Sequence, residues 1–132
     1  MATHWKFYRG GPTKAAAEVT NVSIDARHVI ALNRRAMKLL EGAEAVVLMC
    51  EEQNSIIGIV PTNKLNPEGF PVLQKHPCTW IIYAAPFCRH FRISVDRTER
   101  FDDPRLDDEG ILRLDLKRTH NVSLRKRRAK AA

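Results

Sequence analysis

Cysteine is scarce. Cys50, Cys78 and Cys88 are the only three in 132 residues, and their spacing fits no disulfide framework. No apolar run approaches the roughly 20 residues that a bilayer-crossing helix needs. The first dozen residues include Lys6 and Arg9 but neither an apolar stretch nor a small-residue cleavage site. No secretory leader is therefore expected, and the cytoplasm is the expected compartment. Glycine-rich phosphate loops are missing, since Gly10-Gly11-Pro12 reads as a turn. No serine stands in a nucleophile elbow, and the five histidines are scattered. No nucleophile with its base can be assembled, so neither an enzyme nor a cofactor is expected.

What is present is a globular composition, 44% hydrophobic and 28% charged, in a length that suits one domain. The net charge of +7 is unevenly distributed. Residues 117–132 hold seven basic groups and no acid, while the first 116 residues hold 15 of each sign. The expected organisation is therefore a neutral globular body over residues 1–116 and a flexible basic tail over 117–132.

Along the body, Val22-Ser23-Ile24 alternates as a strand, and His28 to Leu32 reads as a second strand. Asn33 is a good N-cap for a helix from Arg34 to Glu41 that Gly42 would end. Val46–Cys50 and Ile56–Val60 flank a polar five-residue loop, which predicts a hairpin. Pro61 to Cys78 holds four of the seven prolines and reads as a surface connection, with room for a short strand at Val72-Leu73. The pattern then restarts: a strand at Thr79–Tyr83, a helix from Ala85 to Phe91 with Pro86 in its first turn, a strand over Val95–Phe101, and the alternating Leu112, Leu114 and Leu116. Val29-Ile30 answers Trp80-Ile81 and Leu40 answers Phe91 at an offset of 51 residues; Ile57-Gly58-Ile59 answers Leu112-Arg113-Leu114 at 55. The expected fold is α+β, mostly β, with two β-β-α-β-β units (22–61 and 72–116) forming a barrel-like core with short helices.

The first unit resembles the AbrB/MazE/MraZ class of swapped-hairpin β-barrel proteins. The residues that carry the likeness are Val22-Ser23-Ile24-Asp25, Ala26-Arg27-His28-Val29-Ile30, Leu39-Leu40-Glu41-Gly42, and the strands Val46-Val47-Leu48 and Ile56-Ile57-Gly58-Ile59. Ala26 stands where that class has glycine. The resemblance implies two interlocking units that present arginines to DNA, and hence a transcriptional regulator. Arg27 takes the place of the turn arginine, and Arg34 and Arg35 approximate the basic helix positions.

The residues themselves point the same way. Arg34, Arg35 and Lys38 crowd one short helix, where cations in the first turn oppose the macrodipole and Arg34 and Lys38 repel at i,i+4. Helix stability does not call for them, whereas a phosphate would reward them. Arg125, Lys126, Arg127, Arg128 and Lys130 suit sequence-independent contact with a polyanion; five phosphate contacts would add a slope of roughly −4.5 to log K against log salt. No amphipathic insertion helix accompanies the tail, so no membrane partner is expected. DNA is preferred to RNA as the partner, and a homodimer or a protein partner is also open. The alternative function is an antitoxin-like protein-interaction module without catalysis, using the hairpin strands.

Other constellations carry less. His76-Pro77-Cys78 and Cys88-Arg89-His90 have zinc-ligand chemistry, but the strand between them holds the pairs well over 10 Å apart. Asp102-Asp103 and Asp107-Asp108-Glu109 lack calcium-loop spacing and read as a solvated loop. Trp80 and Tyr83 lie in an apolar strand and are expected in the core.

Overall fold

A computed structural model describes residues 19–122. Its elements are β1 (Val22–Ile24), β2 (Val29–Asn33), α1 (Arg34–Leu39), β3 (Ala45–Glu51), β4 (Ile56–Thr62), β5 (Phe70–Pro71), β6 (Leu73–His76), β7 (Thr79–Tyr83), α2 (Ala85–His90), β8 (Glu99–Phe101), β9 (Arg105–Leu106), β10 (Leu112–Asp115) and β11 (Thr119–Asn121). The strands form two antiparallel sheets rather than a closed barrel. One is ordered β11-β8-β1-β2-β7-β6 and the other β5-β3-β4-β10-β9. The expected barrel-like core is thus corrected to two separate sheets, because among the described residues β6 and β11 in one and β5 and β9 in the other pair on one side only.

Alternation in the strands sets the layer between the sheets. Val22, Ile24, Ile30, Leu32, Ile82 and Phe101 from the larger sheet join Val46, Leu48, Ile57, Ile59, Leu112 and Leu114 from the smaller in one buried cluster. Both central pairings are symmetric. Ile30 faces Ile82 while Ala31 faces Ile81, so exchanging residues 51 apart returns the same ladder. In the smaller sheet Leu112 faces Ile59, Leu114 faces Ile57, and Arg113 meets Gly58 on the axis, at an offset of 55. The backbone repeats in step. Glu41 and Arg92 both take positive φ (58° and 56°), as do Ser55 and Gly110 (55° and 81°). Gly42 N donates to Met37 O at 2.9 Å, and Ile93 N to Cys88 O at 2.8 Å.

Local chemistry fixes the turns that carry the site. Asp25 Oδ1 accepts from Arg27 N and Val29 N at 2.9 and 3.0 Å, an Asx turn that ends in His28 at φ 66°. Asp107 Oδ1 builds the same turn with Glu109 N and Ile111 N. Asn33 caps α1 as expected, its Oδ1 accepting from Ala36 N at 3.0 Å and also from Asn21 N at 3.1 Å. Its Nδ2 donates to Val19 O at 2.7 Å. One amide side chain therefore ties the helix start to the approach to β1.

Several expectations move. α1 stops at Leu39, because Glu41 and Gly42 both leave the right-handed region. β4 runs through Pro61, paired with Val46; β10 reaches only to Ile59, so the missing proline N–H costs no ladder bond on that side. The expected strand over Val95–Phe101 shrinks to Glu99–Phe101. The boundary drawn at residue 116 also shifts, since β11 pairs with β8 through Thr119 to Phe101. Tyr83 is 58% exposed, not in the core, because it faces outward opposite Val29. Among the described residues no helix is long and apolar enough to cross a membrane.

Asn33→Ala should destabilise the fold by about 0.5–2 kcal/mol, read as a lower midpoint in urea unfolding with an unchanged m-value. Leu114→Ala, which empties part of the shared layer, should cost about 2–5 kcal/mol in the same assay.

Candidate nucleic-acid interface

α1 exists because Asn33 caps it and because Ala36 and Met37 bury one side. The opposite side carries Arg34, Arg35 and Lys38, all exposed. Its first turn holds no acid. None of the three, nor Arg27, forms an ion pair among the described residues. Arg34 makes only long contacts from Nη2, 3.5 Å to Pro77 O and 3.6 Å to Cys78 Sγ. These reach the β6–β7 turn, so Lys75 and His76 on exposed β6 border the same basic surface.

Arg27 is not part of that cluster. It sits in the β1–β2 turn, at the far end of β2 from α1, on the order of 20 Å away at about 3.3 Å per residue. Its neighbour is the other helix: His28 O accepts from Ala84 N at 3.0 Å, and Ala84 is the N-cap of α2. Arg89 and His90 in the last turn of that helix and Arg92 just beyond it are exposed. Sequence reasoning passed over Arg89, although the offset of 51 places it opposite Lys38. Arg125, Lys126, Arg127, Arg128 and Lys130 lie outside the described residues.

Acids collect elsewhere. Glu51 and Glu52 close the β3–β4 hairpin, and Asp107, Asp108 and Glu109 close β9–β10. Between them, on the outer side of the smaller sheet, Arg113 pairs with Glu51 at 3.5 Å and Asp107 at 3.7 Å. Near α1 the carboxylates are Glu41 and Glu44, and Glu44 is engaged by Lys64 at 3.7 Å. The helices thus carry a group of exposed cations, and the β3–β4 and β9–β10 turns a group of acids.

A cleft of about 670 Å³ opens between residues 91–97, which follow α2, the β3–β4 hairpin and β11. Its walls mix Arg92, Arg97 and Lys117 with Glu52, Asp96 and Glu99. Glu99 Oε2 is buried there without a hydrogen-bond partner. Charges of both signs make it a poor bed for a polyanion. Cys50 on its wall has its thiol pushed up by burial and then by the Glu52 charge. Cys88 is pushed up to about 11 by burial and then by Cys50. Cys78 is exposed at the β6–β7 turn whereas Cys88 is buried, so the two zinc-type pairs occupy different environments at opposite ends of β7. The chain matches no protein-family model, no curated protein and no solved structure.

A chromogenic thiol reagent at mildly alkaline pH should titrate Cys78 rapidly in the folded chain. Cys88, buried and almost wholly protonated there, should react only on denaturation. Cys78→Ser should remove the fast phase.

Proposed function

We propose that the chain binds nucleic acid, duplex DNA in the first place, as an AbrB-like transcriptional regulator. The observation that carries this reading is the exposed trio Arg34, Arg35 and Lys38, without an ion pair among the described residues. Lys38 stands in the last turn of α1, where a cation suits the macrodipole, but Arg34 and Arg35 open the helix, where it does not. Arg27 with Arg89 supplies a second set of donors at the other end of the β2–β7 ladder. The symmetric registers of the two central pairings support a chain of two β-β-α-β-β units that interlock in tandem. In that arrangement each unit's turn stands beside the other unit's helix. The two basic groups grip phosphates on either side of a groove, and the basic tail residues add contacts that carry no sequence information.

A second reading is a protein-interaction module of the antitoxin type that uses the hairpin strands, on which Met49 of β3 is 38% exposed. Substitutions on α1 separate the two readings.

Fluorescence anisotropy with a labelled duplex should show affinity falling linearly in log K against log salt. Replacing Arg34, Arg35 and Lys38 with Ala should make the slope shallower by roughly 2.7 if each holds one phosphate, with circular dichroism unchanged. Binding at low ionic strength that ignores both salt and these substitutions would overturn the reading.

A further inference from the structure

Beside the basic surface of α1, with Arg34 and Lys38 on its rim, lies a groove. Arg34, Met37, Lys38, Glu41, Gly42 and Trp80 line a space of about 530 Å³ between the helix and β7. It runs on past Met37, Gly42 and Trp80 into a second space of about 410 Å³ walled by Ala43, Pro71 and Val72. These volumes fall in the range of small-molecule sites.

The groove arises directly from the strand pattern. Trp80 pairs with Leu32, which is buried. On its other side Trp80 has only Gln74 of β6, an edge strand whose four residues are all exposed. The indole packs partly against the core and stays half-buried, with no further strand beyond β6 among the described residues. Nothing stands within 4 Å of a Cβ built on Gly42, so that wall is open.

We infer that this groove takes one unpaired nucleobase, stacked against the Trp80 indole, while the adjoining phosphates rest on Arg34 and Lys38. The chemistry around the groove selects that occupant. An aromatic face receives the flat side of any base. Two cations at the rim suit the phosphate attached to it and disfavour an uncharged apolar side chain as the sole occupant. Glu41 adds an exposed carboxylate with no ion pair among the described residues. It accepts hydrogen bonds from an amino-bearing base such as cytosine, whose edge offers a donor. The partner is thus a duplex interrupted by an unpaired nucleotide, in preference to a perfect one. This inference rests on the nucleic-acid reading above and specifies the substrate of the same surface.

The test uses the full chain with Trp5→Phe, which leaves Trp80 as the sole indole. The probes are a short duplex and the same duplex carrying one bulged cytosine. The bulged probe is expected to bind about tenfold more tightly, the order that one base–aromatic stack supplies, and to quench Trp80 emission. In a parallel pair of anisotropy titrations, Trp80→Leu should abolish the preference while leaving affinity for the perfect duplex within about twofold. Trp80→Phe, the milder change if leucine impairs folding, should retain part of the preference, and Glu41→Gln should reduce it for cytosine more than for a bulged thymine.

Equal affinity for both probes, an unquenched indole, or a preference that survives Trp80→Leu overturns the inference and leaves duplex binding standing. Trp80-dependent binding of an uncharged leucine-rich peptide, with no preference for the bulge, assigns the groove to protein contact and overturns it as well. Failure to bind either probe at low salt removes the nucleic-acid reading itself.

Discussion

The structure depends on two symmetric strand pairings that face one another across a single apolar layer. β2 against β7 and β4 against β10 each join a strand from the first half of the chain to one from the second. Their inward rows, Ile30, Leu32 and Ile82 on one side and Ile57, Ile59, Leu112 and Leu114 on the other, fill the same space. Burial of branched side chains at native density stabilises this layer and leaves little freedom in register, since a one-residue slip would turn each row to the solvent. Helices, turns and edge strands are positioned by that constraint.

Placement of the exposed cations follows from it. Because β2 and β7 run antiparallel, the helix after each strand lies at the end where the other strand begins. The β6–β7 turn therefore meets α1 through Arg34, and the β1–β2 turn meets α2 through the His28–Ala84 bond. Arg34, Arg35, Lys38 and Arg89 are carried outward on the helices of the larger sheet, while the smaller sheet closes its hairpins with acids around Arg113. A molecule whose body is nearly neutral thereby presents an uneven surface.

Much of this was legible in the sequence wherever a side chain's own physics decided the outcome. Alternation marked Val22–Ile24 and Leu112–Leu114, a capping amide marked Asn33, and the polar Glu51–Ser55 loop marked its hairpin. Elements that owe their form to a neighbour left no such trace. Thr119-His120-Asn121 has no apolar alternation and becomes β11 only because β8 offers an unpaired edge. Of β6, only the start showed, in the short strand read at Val72-Leu73; its run to His76, with a register shift at Gln74/His76, depends on β7. Tyr83 looks like a core residue until its pairing with Val29 fixes which way it faces. The basic helix could be read from Arg34, Arg35 and Lys38. The separation of Arg27 from that helix could not, because it depends on which end of β2 meets which helix.

The two central pairings also bear on how the chain reaches its native state. Besides its local partner, β2 pairs with a strand about fifty positions downstream, and so does β4. Short-range hairpins such as β3–β4 can form early, yet they leave one side wet until the remote strands arrive. Contacts so distant along the chain raise the entropy spent before any layer is sealed. Sealing the layer therefore requires pairings between residues about fifty positions apart.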